Sequence, residues 1–271
     1  MRSRGVTPPE RCSVDLTPYR DFAVELAERS GDLIRPYFGA DASTLGIELK
    51  ADESIVTRAD RDAEALMRGL IGKRFPAHGI LGEEYGAERP DAEFVWVLDP
   101  IDGTISFASA SPLFGTLIAL VHHGTPVLGA INQPVLRQLC LGDGVTTSLN
   151  GAPVHVREPR PLSQATLLVT DVLSVANHQN GAAFDALMRD VKLVRTWGDC
   201  YGYLLLATGH AEIMCDPVMN PWDIAALIPI VRGAGGVITG WQGNDAIGAN
   251  SIVATTSQAL HDEVIRRLNP P

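Results

Sequence analysis

Four acidic residues stand close together in this sequence with almost no positive charge around them: Glu83, Glu84, Asp99 and Asp102. An apolar stretch over residues 94–98, typical of a buried strand, runs directly into the two aspartates. Arg89 is the only lysine or arginine between residues 75 and 136. Carboxylates that are buried near one another repel unless a cation joins them. The pattern therefore indicates a hard divalent metal held by oxygen ligands, and with it chemistry on a phosphate.

The turn after the apolar stretch is suited to present both aspartates to one crevice. Pro100 stiffens it, Gly103 permits close approach of the backbone to a ligand, and Thr104 opens a short predicted helix whose free N–H groups suit an anion. A solvated, Asp-rich turn with a helix cap would explain these residues taken alone. It would not explain Glu83–Glu84 or the later Trp222–Asp223.

The haloacid-dehalogenase type of phosphatase is the main competing interpretation of two aspartates after a strand. In that type the strand ends in Asp-x-Asp-Gly-Thr, with the first aspartate as nucleophile and the second as acid. Here two residues separate Asp99 from Asp102, which would misplace the acid. The spacing therefore favours a metal site over a covalent nucleophile.

The composition of the whole chain argues against several other classes of function. A net charge of −10 over 271 residues disfavours nucleic acid or an anionic membrane as partner. The apolar runs are far too short to cross a bilayer, and the N-terminal residues lack the apolar segment of a signal peptide. The cysteines and histidines show no metal-ligand spacing, and His122–His123 is interpreted as part of a turn. We therefore expect a soluble, cytoplasmic enzyme that acts on a small phosphate ester.

The elements that position the acidic residues are short strands packed with a few helices. Helices are predicted to begin at Thr17 and at Thr57, and strands to cover residues 78–81 and 94–98. Repeated strand-like runs separated by glycine turns follow over residues 116–141. This half of the chain is typical of an antiparallel-rich α+β arrangement.

The second half alternates strands with helices. Asn150–Gly151 is a hairpin turn signal. Beyond it, helices are predicted over residues 182–189, 200–208, 221–232 and 257–268, between short strands. We expect an α+β subdomain over residues 1–147 that carries the acidic motif, and an α/β subdomain over residues 148–271 that carries Asp223.

Three separated motifs in this order resemble the inositol monophosphatase family of magnesium-dependent, lithium-sensitive phosphatases. They are Glu83–Glu84, the run Asp99-Pro-Ile-Asp-Gly-Thr104 and Pro221-Trp-Asp223; the run from Lys50 to Asp60 and the glycines at 233–236 match as well. The resemblance extends from about Thr17 to Leu268. It implies a layered αβαβα sandwich and a homodimer.

The resemblance also implies a metal-ligand set. Carried over by motif, Glu83, Asp99 and the Ile101 carbonyl would hold a first Mg²⁺, and Asp99, Asp102 and Asp223 a second. Two or three ions per site are implied, with Mn²⁺ as a substitute and Li⁺ as an inhibitor. Few protein oxygens per ion suit Mg²⁺, because water and substrate phosphate complete each octahedron.

Further residues receive roles from the same resemblance. Thr104 and Asp60 would orient the attacking water, and Glu84 would assist that water or a third metal. The backbone N–H groups of Gly103 and Thr104 would bind phosphate oxygens, and Lys50 would lie near the metals. Spacing alone would equally allow Asp60 to be an exposed acid in the first turn of a helix.

The leaving-group side of the chain resembles the histidinol-phosphate phosphatase branch of the family more than its inositol branch. The segments over residues 112–136 and 197–201 carry this likeness. The family positions that touch the leaving group fall on Arg195, Gly198, Asp199, Cys200 and Asp216. The ammonium and imidazole of histidinol phosphate would suit Asp199 and Asp216, although Asp216 would equally bind the hydroxyls of inositol.

We therefore expect histidinol-phosphate hydrolysis. Two alternatives stay open: an inositol or broad sugar-phosphate phosphatase, and a metal-dependent binding protein without turnover.

Overall fold

The computed structural model describes residues 14–50 and 55–271. The N-terminal segment that is predicted not to be a signal peptide, and residues 51–54 of the Lys50-to-Asp60 motif, lie outside this part of the chain. Within it, no helix combines the length and the apolar character needed to cross a bilayer.

The first half of the chain forms a long helix pair and most of the strands. In order, its elements are α1 (Thr17–Ile34), α2 (Ala42–Leu45), β1 (Glu48–Leu49), β2 (Ile55–Val56), α3 (Arg58–Arg74), β3 (Gly79–Gly82), β4 (Gly86–Glu88), β5 (Phe94–Asp102), α4 (Thr104–Ala108), β6 (Gly115–His122), β7 (Thr125–Gln133), β8 (Gln138–Gly142), β9 (Thr147–Leu149) and β10 (Ala152–Pro153). As predicted, helices begin near Thr17 and just after Thr57, and the chain reverses at Asn150–Gly151 into an antiparallel pair.

The second half alternates helices and strands. Its elements are β11 (Thr166–Val169), α5 (Val175–His178), α6 (Gly181–Asp190), β12 (Leu193–Arg195), α7 (Asp199–Ala207), β13 (Ile213–Asp216), α8 (Pro221–Ile224), α9 (Leu227–Gly233), β14 (Val237–Thr239), β15 (Ile252–Thr255) and α10 (Gln258–Leu268). The prediction of a single helix over residues 221–232 is wrong, because two helices, α8 and α9, occupy this range.

Two sheets are stacked between helices, as the resemblance implied. The large sheet has the strand order β10-β9-β8-β7-β6-β5-β3-β4, and the smaller one the order β12-β11-β13-β15-β14. Helices α1 and α3 cover one face of the large sheet, and α7 and α9 lie between the two sheets. Helices α6 and α10 pack against each other, and α10 covers the smaller sheet. The expected αβαβα sandwich is confirmed.

The change from one sheet to the other occurs well after the middle of the chain. Strand β10, which ends at Pro153, still belongs to the large sheet, and the smaller sheet begins with β11 at Thr166. The division into subdomains at residues 147 and 148 stays a prediction.

Apolar side chains fill each interface between layers. Leu26, Met67 and Trp96 are buried between α1, α3 and the large sheet. A second cluster, which includes Leu117, Tyr203 and Leu227, is buried between the two sheets. At roughly 25 cal/mol per Å² of buried apolar surface, these layers supply the main driving force for folding. They also give β5 a rigid support on both faces.

Candidate active site

A β-bulge in β5 brings Asp99 and Asp102 to the same side of the sheet. Asp99 is paired with Leu117 of β6 and Asp102 with Gly115, so three steps along β5 match two steps along β6. In a regular strand, residues three apart point to opposite faces; the extra residue of a bulge reverses this. The Asp-x-x-Asp spacing that disfavoured a nucleophile is therefore what lets both carboxylates face one site.

Asp223 joins these two aspartates from α8, which packs against β5. It lies in the first turn of α8, where its Oδ2 accepts the N–H of Asn220 at 2.7 Å. Carboxylate oxygens of Asp99, Asp102 and Asp223 all lie within 4.8 Å of one another. Backbone donors orient the other two: Ile101 N–H donates to Asp99 at 3.0 Å, and Cys200 N–H donates to Asp102.

The electrostatics of this group of aspartates fit a divalent cation. Burial and the charges of Glu83, Asp102 and Asp223 raise the pKa of Asp99 well above its usual range. Burial raises the pKa of Asp102 in the same way, and that of Asp223 to about 6. Repulsion of this kind is relieved when a cation binds the ionised forms, and a set of carboxylates alone suits a hard ion such as Mg²⁺.

Glu83 and Glu84 lie in the turn that follows β3, at the same edge of the sheet. Glu83 N–H donates to the Leu98 carbonyl at 3.2 Å, which fixes the turn beside β5. The Lys50 ammonium lies between the two carboxylates, 2.8 Å from Glu83 and 2.7 Å from Glu84. Burial lowers the pKa of Lys50, but the bonds to both glutamates outweigh it, so the net pKa is above its usual value. Lys50 is thus held in the site as an ammonium.

Asp60 is buried at the start of α3, so the alternative of an exposed acid in the first helical turn is wrong. Its Oδ2 accepts the N–H and the hydroxyl of Thr57, at 2.9 and 2.5 Å. Its Oδ1 lies 3.4 Å from the hydroxyl of Thr104, which is also 3.0 Å from the Ile101 carbonyl. Burial raises the pKa of Asp60 to about 7. A carboxyl with this pKa can exchange a proton near neutral pH.

Glu64 is a residue of this site that sequence reasoning missed. One helical turn after Asp60, its fully buried carboxylate accepts the N–H groups of Glu84 at 2.7 Å and Tyr85 at 3.2 Å. Arg68 donates to it at 2.8 Å. A Cβ at residue 82 would lie 2.0 Å from Glu64 Oε1, so this close approach requires Gly82. The four-residue interval from Asp60, which places both acids on one helix face, was the available signal.

A cavity of about 130 Å³ adjoins the aspartates on the leaving-group side. Asp199 and Asp216 line it, together with Asp102 and Asp223. Burial, with the charges of Asp216 and Asp223, raises the pKa of Asp199 to about 7. Asp216 accepts the Tyr203 hydroxyl at 3.0 Å and the Thr170 N–H at 3.3 Å.

The backbone around Gly103 and Asp199 is shaped by their close contact. Gly103 has a left-handed φ of 91°, and a Cβ there would lie 2.8 Å from Asp199 Oδ2. Asp199 is itself left-handed, with φ 50°, and its N–H donates to the Thr170 hydroxyl at 2.8 Å. Gly198 packs directly against Thr170. The structure therefore brings Gly103, Gly198 and Asp199 together at the N-terminal end of α7.

Arg195 and Cys200 are arranged differently from the other leaving-group residues. Arg195 is exposed on β12, does not line the cavity, and lies with its guanidinium carbon 5.9 Å from the Trp197 ring centre. The Cys200 side chain is buried in the core between the sheets, and its N–H is occupied by Asp102. Contacts of these two residues with a leaving group stay predictions.

Comparison with protein families matches this chain to one family over nearly its whole length. Residues 15–270 match the model of the inositol monophosphatase family.

Individual relatives and solved structures that resemble this chain are phosphatases of the same family. A histidinol-phosphatase of Chlorobaculum parvum is 41% identical over 233 residues, which cover 86% of this chain and 89% of the relative. A histidinol-phosphatase of Mycobacterium tuberculosis is 37% identical over 253 residues, covering 91% and 96%. The structure of an inositol monophosphatase from Zymomonas mobilis has a TM-score of 0.83 and 38% identity, covering 94% of this chain and 99% of that one.

Proposed function

Because this chain belongs to the inositol monophosphatase family and is a phosphatase, we propose that it hydrolyses L-histidinol phosphate to L-histidinol and phosphate with Mg²⁺ as its cofactor. The observation that carries the proposal is the pair Asp199 and Asp216, which line a cavity beside the acidic site. Two acids at this place suit a leaving group that carries an ammonium and an imidazole. The likeness to two histidinol-phosphatases supports the same choice.

Glu83, Asp99, the Ile101 carbonyl, Asp102 and Asp223 would hold the metal ions. The carboxylate oxygens of Asp99, Asp102 and Asp223 converge within 4.8 Å, which supports these three. Glu83 is supported by its charge, which helps to raise the pKa of Asp99. Bound there, Mg²⁺ would polarise the phosphoryl group, activate water and neutralise charge on the leaving oxygen.

The protein groups around the phosphate would position it and its attacker. The backbone N–H groups of Gly103 and Thr104 would bind phosphate oxygens at the start of α4. A water near Thr104 Oγ1 would pass a proton through that hydroxyl to Asp60 Oδ1, 3.4 Å away. The water oxygen would then bond to phosphorus as the ester P–O bond breaks. The leaving oxygen would take a proton from a solvent water, and Asp60 would return its proton to solvent. A pKa of about 7 matches Asp60 to this role.

Lys50 and Glu84 would adjust the charge of the same site. The Lys50 ammonium balances Glu83 and Glu84 in the geometry observed. Burial raises the pKa of Glu84, which is consistent with a group that takes part in proton or metal binding.

We further propose a cytoplasmic homodimer that accepts Mn²⁺ in place of Mg²⁺ and is inhibited by Li⁺. The family resemblance supports these properties.

An inositol or sugar-phosphate phosphatase is the second candidate function. It is favoured by the 38% identity to the inositol monophosphatase from Zymomonas mobilis. Measuring kcat/KM for L-histidinol phosphate beside inositol 1-phosphate, in saturating Mg²⁺, separates the two. We expect at least a 100-fold preference for histidinol phosphate. An equal or larger value for the inositol ester would refute our choice of substrate.

Replacing Asp199 by asparagine is expected to weaken hydrolysis of histidinol phosphate more than hydrolysis of an aryl phosphate. The amide keeps the shape of the side chain but cannot form an ion pair with an ammonium, so KM for histidinol phosphate should rise about tenfold. Hydrolysis of an aryl phosphate, which lacks the ammonium, should stay within about twofold. An equal loss on both substrates would mean that Asp199 only maintains the structure around Gly103.

Replacing Glu64 by glutamine is expected to raise the Mg²⁺ concentration for half-maximal activity by about tenfold, with a smaller effect on kcat. An amide offers one acceptor oxygen where three donors now bind, so the turn that carries Glu83 should be held less firmly. Loss of a group that orients a metal ligand commonly weakens metal binding about 10–100-fold. Glu88→Gln is the matched control, because Glu88 is an exposed partner of the same Arg68. An unchanged Mg²⁺ requirement with a lower melting temperature would assign Glu64 a structural role only.

A further inference from the structure

A second group of metal-ligating side chains lies at the opposite end of the strand that carries the aspartates. Glu93 immediately precedes β5, His122 is the last residue of β6, and His123 begins the turn to β7. One ligand atom from each residue lies within 4.8 Å of the other two. Glu93 Oε1 is 3.1 Å from Nε2 of His122 and 4.0 Å from Nε2 of His123.

The backbone brings the two consecutive histidines to the same side. Neighbouring residues in a strand point to opposite faces. His123 does not follow this alternation, because it lies in the turn and has a left-handed φ of 47°. Its N–H donates to the Glu93 carbonyl at 3.0 Å. The same turn therefore fixes the backbone of Glu93 and directs the second imidazole toward it.

The site has one rigid ligand and two accessible ones. The His122 side chain is 8% exposed, and its ring stacks on Phe94 with the ring centres 4.5 Å apart. The His123 and Glu93 side chains are 71% and 62% exposed, which leaves a path for an ion and for water ligands. The ring centres of the two histidines are 4.4 Å apart.

We propose that Glu93, His122 and His123 form a peripheral site for a late first-row divalent cation such as Zn²⁺. Two imidazole nitrogens and one carboxylate oxygen are a donor set that Zn²⁺ accepts, with water completing a tetrahedron, whereas Mg²⁺ prefers oxygen alone. A bound ion joins the start of β5 to the β6–β7 turn. From Phe94 to Asp99 the strand rises roughly 17 Å at about 3.3 Å per residue, so this site is separate from the acidic one.

The test is a Zn²⁺ titration of the full chain, monitored by calorimetry and thermal melting. It is run in a large excess of Mg²⁺, which competes with Zn²⁺ for the oxygen-ligand site. We expect one Zn²⁺ per chain and a raised melting temperature for the wild type. His123→Asn should lower Zn²⁺ affinity at least tenfold, and asparagine tolerates the left-handed backbone there. Glu93→Gln should weaken binding as well. Phosphatase activity in Mg²⁺ should be unchanged in both variants.

His210→Asn is the matched control, since His210 is exposed and stands outside this cluster. It should bind Zn²⁺ like the wild type. The proposal is overturned if the wild type binds no Zn²⁺ in the presence of Mg²⁺, or if His123→Asn binds it with wild-type affinity.

Discussion

Asp99→Asn is expected to reduce Mg²⁺-dependent phosphate release by about 10³-fold or more while leaving the chain folded. Asp99 is the carboxylate that both proposed metal positions share, and it is only 2% exposed. An asparagine oxygen can still accept the Ile101 N–H, now at 3.0 Å, so the bulge should persist. The loss would therefore come from metal binding rather than from unfolding.

The melting temperature of the metal-free variant should not fall, in contrast to its activity. In the metal-free protein, Asp99 is repelled by Glu83, Asp102 and Asp223. Removing its charge should leave the metal-free melting temperature equal or higher, and should abolish most of the rise that Mg²⁺ causes. Asp91→Asn, an exposed acid in the loop before the same strand, is the control and should behave like the wild type. Full activity of Asp99→Asn would disprove the proposed ligand set.

The stabilisation by Mg²⁺ is expected to grow strongly with pH. Folding raises the pKa of Asp60 to about 7 and of Asp223 to about 6, from a usual value of 3.8. Above pH 4 the metal-free native state thus binds more protons than the unfolded chain, and its stability falls as pH rises through these folded pKa values. Mg²⁺ would bind ionised Asp223 directly, and its charge would favour ionised Asp60 nearby, so it should offset this loss.

Melting temperatures with and without Mg²⁺ at pH 5 and pH 8 measure this effect. Burial lowers the pKa of His261 to about 4, so His261 changes stability in the opposite direction over part of the range. The difference between the Mg²⁺-loaded and metal-free proteins cancels that contribution. We expect the difference to be larger at pH 8 by roughly 5 °C or more. A difference that does not change with pH would mean that Mg²⁺ does not bind at the acidic site.

Local sequence signals predicted the elements around the site well because each has a short-range cause. Thr57 caps α3, Asn150–Gly151 supplies two left-handed residues, and the apolar run before Asp99 forms β5. The pairing of β14 with β15 was not predicted, although this pairing is what holds the three residues of β14 as a strand. Its partner is contributed by residues that follow a long loop, and no local pattern contains that information.

The contacts across the site were harder to predict than its members. The motif spacing identified Asp99 and Asp102, but the bulge that directs both to one face depends on the register with β6. In sequence, Glu64 does not differ from other helical acids, because its contact with the N–H of Glu84 is formed only in the folded chain. At the proposed Zn²⁺ site, His122 and His123 show no ligand spacing in the sequence, because Glu93 lies 29 residues before His122. Each of these cases depends on chain segments meeting in three dimensions.

Mg²⁺-dependent hydrolysis is tested most directly by measuring phosphate release from L-histidinol phosphate by the purified chain with Mg²⁺, after chelation, and after Mg²⁺ is restored. We predict rapid release with Mg²⁺, loss of release on chelation, and recovery when the ion is added back. Release that survives complete chelation would contradict metal-dependent hydrolysis by the acidic site. Release from other phosphate esters but none from L-histidinol phosphate would contradict the proposed substrate.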